Sequence, residues 1–142
     1  MILKDEILVR HSQKYPDKVA IVFEDKRFTF RELNDRVNSL TQALMGLGVT
    51  KGDRIAIVAD NCHQYLEIAL AGVKGGMVII PLNPNLSQRD LSYLINNSEA
   101  NTVIFSQNYA DSINALRDEL ENVRNFIVIG KLEGIKSYEE LV

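Results

Sequence analysis

The chain has 142 residues, 46% of them apolar and 25% charged, proportions of one ordinary globular domain that set fibrous and disordered classes aside. A formal charge of −3, with no run of five like charges, removes the electrostatic basis for non-specific nucleic-acid binding. The single cysteine, Cys62, allows neither an internal disulfide nor a zinc site of its own.

The opening residues MILKDEILVR mix acids into the apolar positions and lack the apolar centre of a signal peptide. No segment approaches the ~20 apolar residues that span a bilayer. A cytoplasmic protein is expected, and the N-x-S triplets at Asn85 and Asn96 carry no weight as glycosylation sites.

Val19-Ala20-Ile21-Val22-Phe23 reads as a strand that turns at Glu24-Asp25-Lys26 into Arg27-Phe28-Thr29-Phe30, a small N-terminal β-hairpin. Thr29 followed by Glu32 has capping-box spacing. Behind it Leu33, Val37, Leu40, Leu44 and Leu47 make one helical stripe, which predicts a helix over 30–47 closed at Gly48. Arg54–Ala59 is β-branched and apolar on both faces, the pattern of a parallel strand covered by helices on both sides. The next helix is read with Tyr65, Leu66, Ala69, Leu70 and Val73 as its apolar stripe, closed at Gly75-Gly76.

Met77–Leu82 is the next strand, and Ser87 caps a helix bearing Leu91, Leu94 and Ile95, with Asp90 in the capping-box position. A strand at Thr102–Phe105, a helix over 108–121 and a strand at Phe126–Ile129 complete the alternation. Residues Lys136–Val142 read as a helix start that breaks off within two turns, so the chain is expected to be a piece of a longer protein. The fold class expected is α/β, a doubly wound and mainly parallel sheet flanked by helices.

No catalytic constellation is evident from residue types alone. His11 reads as packing or surface, and Cys62-His63, adjacent on one helix, cannot face one another as nucleophile and base. Gly72-Val73-Lys74-Gly75-Gly76 runs from helix to strand, the reverse of a phosphate-binding loop, and reads as a C-cap turn. Two places lie where ligands bind in open α/β sheets, beyond strand carboxyl ends: Ala59-Asp60-Asn61-Cys62-His63, and the corner Pro81-Leu82-Asn83-Pro84-Asn85. In the latter, two prolines hold the chain extended until Ser87, as a stiff connection or as a rigid crevice wall.

Phe28-Thr29-Phe30-Arg31-Glu32-Leu33-Asn34 resembles the "(T)(Y/F)xEL" start of the adenylate-forming enzymes: acyl- and aryl-CoA synthetases, peptide-synthetase adenylation domains and luciferases. The likeness continues through GLGVTKGDRIAIVADNCHQYLEIALAGVKGGMVIIPLNPNLSQRDLSYLINNSEANTVIF, residues 46–105, and covers about residues 15–130. Pro81-Leu82-Asn83-Pro84 looks like the fatty-acid or acyl-CoA synthetase branch, since peptide-synthetase domains more usually carry aspartate where Asn83 stands.

The resemblance implies the N-terminal, Rossmann-like segment of a ligase that uses ATP, Mg and CoA to convert a carboxylic (fatty) acid into its CoA thioester. The family's phosphate loop ending in Pro-Lys-Gly, its ribose-binding aspartate and its mobile lysine have no counterpart in residues 1–142, so this chain alone is expected to be inactive and to hold no metal. By the same likeness Leu82, Asn83, Pro84 and Asn85 would form a non-catalytic wall of the CoA channel. Faces built to meet the rest of the enzyme would favour self-association. Two other readings stay open: a stand-alone interaction or regulatory module, and an amino-acid adenylation domain.

Overall fold

The computed structural model describes residues 4–142. Helix α1 (Lys4–Lys14) leads into the hairpin of β1 (Val19–Phe23) and β2 (Lys26–Thr29), which pair antiparallel. Helix α2 (Phe30–Gly46) starts on the expected capping box: the Glu32 amide donates to the Thr29 hydroxyl at 3.2 Å, and the Thr29 amide donates to the Glu32 carboxylate at 2.8 Å. Its stripe of Leu33, Val37, Leu40 and Leu44 is buried.

Five parallel strands follow: β3 (Arg54–Val58), β4 (Val78–Leu82), β5 (Thr102–Ser106), β6 (Asn125–Ile129) and the short β7 (Lys136–Ser137). Their order is β4-β3-β5-β6-β7. The chain therefore winds one way from β3 and then reverses, placing a topological switch point between β3 and β5. Helix α3 (His63–Gly75) joins α1 and α2 on one face, over Ile55, Ile57, Ile104 and Ile127. Helices α4 (Gln88–Asn97) and α5 (Ala110–Leu116) cover the other face, over Ala56, Val58, Val103, Phe105 and Val128. Alternate residues of each strand thus feed two separate cores, as expected from strands apolar on both faces.

The glycine run after α3 is a C-cap. Gly76 sits at φ 70° with its amide bonded to the Gly72 carbonyl, in the left-handed region that glycine occupies without strain. At Gly72 a Cβ would lie 2.5 Å from Ile79 Cγ1, so only glycine lets α3 approach β4 this closely.

Two expectations need correction. The helix over 108–121 is α5 alone, flanked by 3-10 turns at Gln107–Tyr109 and Arg117–Glu119; at Leu120, φ −88° and ψ 82°, the backbone has left helical geometry while the side chain stays buried. Lys136–Val142 is not a helix start. Lys136 and Ser137 add β7 to the sheet, the Ser137 hydroxyl donates to the Gly130 carbonyl at 2.8 Å, and a 3-10 turn at Tyr138–Glu140 follows. Full burial of the Tyr138 ring directs that path. Among the described residues no helix is long and apolar enough to cross a membrane.

Candidate functional site

The carboxyl ends of the strands carry the loops from which a site could be built. At the switch point the loops after β3 and β5 meet: the Tyr109 hydroxyl donates to Asp60 Oδ1 at 2.5 Å. That hydrogen bond to a carboxylate holds the Tyr109 phenol above its ordinary pKa. Cys62, next in the loop, is half-buried, and burial pushes its thiol up, which disfavours the thiolate a nucleophile requires.

Beside it stands the Pro81–Asn85 corner. Pro81 lies on the edge strand β4, where a missing backbone donor is tolerated. The Asn83 side chain accepts from the Asn85 amide at 2.9 Å and its carbonyl from the Leu86 amide at 3.2 Å, closing a rigid turn before Ser87 caps α4. Asn83 and Asn85 are exposed and Pro84 is half-buried, whereas Leu82 packs into the second core. The structure thus separates the four residues: Leu82 anchors the corner, and the other three form its outer surface.

Sequence reasoning missed the largest polar feature. Glu67 of α3 is wholly buried and accepts four hydrogen bonds: from Arg36 Nε at 2.7 Å, Arg36 Nη2 at 3.1 Å, His63 Nδ1 at 2.9 Å and the Tyr138 hydroxyl at 2.7 Å. Arg36 also donates to both oxygens of Glu139, at 3.1 Å each, and Gln64 Nε2 reaches Glu139 Oε1 at 3.1 Å. Because a carboxylate only accepts, the His63 proton facing Glu67 lies on Nδ1, and its buried Nε2 has no partner among the described residues. Phe28 packs on this ring at 4.7 Å and under the Arg36 guanidinium at 5.1 Å.

Burial works against the Arg36 charge, but hydrogen bonds to Glu67 and Glu139 outweigh it and raise its pKa further. Burial, followed by the Glu67 charge, pushes the Tyr138 phenol far up. The carboxylate of Glu67 is fully engaged, so the cluster clasps α2, α3 and the 138–140 turn together, and that carboxylate is not free to abstract a proton.

A signal for it existed. His63, Gln64, Glu67, Ile68, Ala71 and Gly72 form the buried stripe of α3, while Leu66 and Val73, read as inward-facing, are 45% and 43% exposed. A glutamate flanked one turn either side by His63 and Ala71, with Arg36 beside Val37 in the stripe of α2, is an opposite-charge pair on two inward faces.

Fold and site together define a doubly wound α/β module with a rigid corner beyond its edge strand β4. The model of the AMP-binding enzyme family matches residues 8–141, and the chain belongs to this adenylate-forming superfamily, corresponding to its N-terminal portion. It is similar to a long-chain-fatty-acid–CoA ligase of Thermus thermophilus, 34% identical over 119 residues that make up 82% of this chain and 22% of that protein. It is also similar in structure to a fatty acyl CoA synthetase of Mycobacterium tuberculosis, with TM-score 0.83 and 27% identity, over 87% of this chain and 26% of that one. A benzoate CoA ligase of Burkholderia xenovorans aligns with TM-score 0.87 over 99% of this chain and 28% of that one; at 23% identity it speaks for the fold alone. The chain spans about a fifth of the length of the curated relatives it matches, as the 22% of the Thermus enzyme illustrates.

Proposed function

We propose that this chain is the N-terminal segment of an ATP-dependent acyl-CoA synthetase, a fatty-acid–CoA ligase, and that it has no ligase activity by itself. The carrying observation is the 34% identity to the Thermus thermophilus long-chain-fatty-acid–CoA ligase across 82% of the chain. The overall conversion would be carboxylate, ATP and CoA to acyl-CoA, AMP and pyrophosphate.

The residues present do not fit the triphosphate or its metal. Among the described residues no cluster of three His, Cys, Asp or Glu side chains could hold a metal ion. The strand-to-helix loop at the switch point presents the Asp60 carboxylate where a phosphate would need donors. ATP, Mg and the reacting carboxylate would be held by parts of the longer enzyme.

What this segment would supply is shape. Asn83, Pro84 and Asn85, held by the Asx turn and anchored through Leu82, would form one wall of the CoA channel. An exposed rigid turn beyond a strand carboxyl end supports that role, because its backbone groups stay fixed when a ligand arrives.

Acid-dependent ATP–pyrophosphate exchange, run with short and long fatty acids, tests the reading on this chain and on any longer product of the same gene. Exchange by the longer product alone is the expected result. Exchange by the 142-residue chain would overturn the claim of inactivity, and silence from both would favour a stand-alone interaction module.

A further inference from the structure

A pocket of about 230 Å³ opens at the amino ends of β6 and β7, the end of the sheet opposite the loops described above. Arg117 from the 3-10 turn after α5, Arg124 just before β6 and Lys136 at the start of β7 all line it. No aspartate or glutamate does, and Leu47, Phe126 and Ile135 supply an apolar wall. The chain carries 19 acidic and 16 basic side chains, so an even spread would favour acids on any patch. Cations converging without an acid make this a local positive field on a negative protein.

These charges are uncompensated. Arg10, Arg31, Arg36 and Arg54 each hold a carboxylate at 3.9 Å or less, whereas Arg117, Arg124 and Lys136 form no ion pair among the described residues. Asp53 feels the Arg124 charge, but it accepts from the Thr50 amide at 2.8 Å and is not paired with the arginine. The fold also fixes where the cations stand. The Arg117 guanidinium lies over the Phe126 ring, 4.4 Å from its centre, which covers its face and leaves its N–H edge to donate. The Arg124 amide donates to the Asn101 carbonyl at 2.8 Å, and Lys136 pairs with Ile127 in the ladder of β6 and β7.

We propose that this pocket binds a single phosphate group, as the free ion or as a small monoester, with Arg117 and Arg124 donating to its oxygens and Lys136 balancing the remaining charge. Guanidinium N–H pairs match the edge of a tetrahedral oxyanion, and an ammonium adds a point charge beside them. The wall of Leu47, Phe126 and Ile135 would take the carbon side of an ester. At about 230 Å³ the pocket is smaller than the roughly 300–1,000 Å³ of drug-sized ligand sites, so a whole nucleotide or CoA does not fit in it. The inference does not rest on the ligase reading, since it uses the other end of the sheet and no residue outside this chain.

The test is a titration of inorganic phosphate into the isotope-labelled chain at fixed ionic strength, read by backbone amide and arginine Nε–H resonances. Saturable shifts at Arg117, Arg124, Gly134 and Lys136 are expected. Phenyl phosphate distinguishes the two sources: affinity several-fold above that of the free ion assigns the pocket to an ester, and equal affinity assigns it to the ion. Arg124→Gln and Lys136→Gln should each weaken phosphate several-fold. Arg89→Gln, which removes the same charge at the start of α4, should not. All three positions are exposed, so an unchanged urea midpoint will show that the fold is kept. Shifts that never saturate, or equal weakening by Arg89→Gln, overturn the proposal by reducing the pocket to general surface charge. Tighter binding of ATP than of inorganic phosphate overturns it as well, by making the pocket part of a nucleotide site. None of these readouts depends on ATP–pyrophosphate exchange, so the two readings fail separately.

Discussion

The two faces of the sheet are built on different physics. Under α4 and α5 the core is a plain apolar pack of Leu91, Ile95, Ile113 and Leu116 against Val103, Phe105 and Val128. Under α2 and α3 an apolar pack of similar size shares its space with Arg36, His63, Glu67 and Tyr138. The first face tolerates any well-shaped hydrophobe, because dispersion and burial have no direction. The second specifies geometry: each charge there is tolerated only while its partner stays in place.

Removing one partner gives the largest effect. Arg36→Leu leaves the Glu67 carboxylate buried without its bidentate cation and should cost about 3–5 kcal/mol in urea unfolding. Adding Glu67→Leu to it should recover only part of that loss, since it removes the unpaired carboxylate but leaves the Tyr138 hydroxyl and the His63 Nδ1–H buried without their acceptor. A single variant that unfolds like the parent would erase the distinction between the faces.

Acid should discriminate between them next. Burial works against the Glu139 charge, but hydrogen bonds from Arg36 and Gln64 prevail and hold its carboxyl below the usual 4.5. A carboxyl depressed on folding contributes stability above its unfolded value and loses it as pH falls through the folded one. Stability should therefore decline below about pH 4.5, and Glu139→Gln should flatten part of that decline. Asp53, held low by the Thr50 amide, acts in the same direction and remains in the variant, so some slope will persist. Chemical unfolding at a series of pH values reads both, and identical slopes in parent and variant would remove Glu139 from the account.

The parts legible in the sequence were those decided locally. The capping box of α2 needs only residues 29 and 32, and the both-faces apolar run of β3 is contained in five residues. The proline spacing of the 81–85 corner likewise announced a rigid turn, though not that Leu82 would leave it for the core. The clasp was hidden because its bonds join residues far apart in sequence: Tyr138 reaches Glu67 across 71 positions, and Arg36 reaches Glu139 across 103. Periodicity marks stripes on a helix but not which stripe meets the sheet, and α3 has two. Choosing the more hydrophobic one was wrong because the polar stripe finds its partners on other elements.

That choice can be tested with the smallest change. Leu66 and Ile68 are two residues apart on α3, yet Leu66 is 45% exposed and Ile68 is fully buried. Leu66→Lys should therefore shift stability by no more than about 0.5 kcal/mol, as an exposed helix position that exchanges one good helix former for another. The lysine stem can still lie along the helix surface while its ammonium reaches water. Ile68→Lys would bury an unpaired charge beneath the same helix and should abolish cooperative thermal unfolding. If Leu66→Lys instead costs several kcal/mol, the outer stripe of α3 is sealed against another surface in solution. The clasp would then be on the inner of two buried faces rather than beneath an open one.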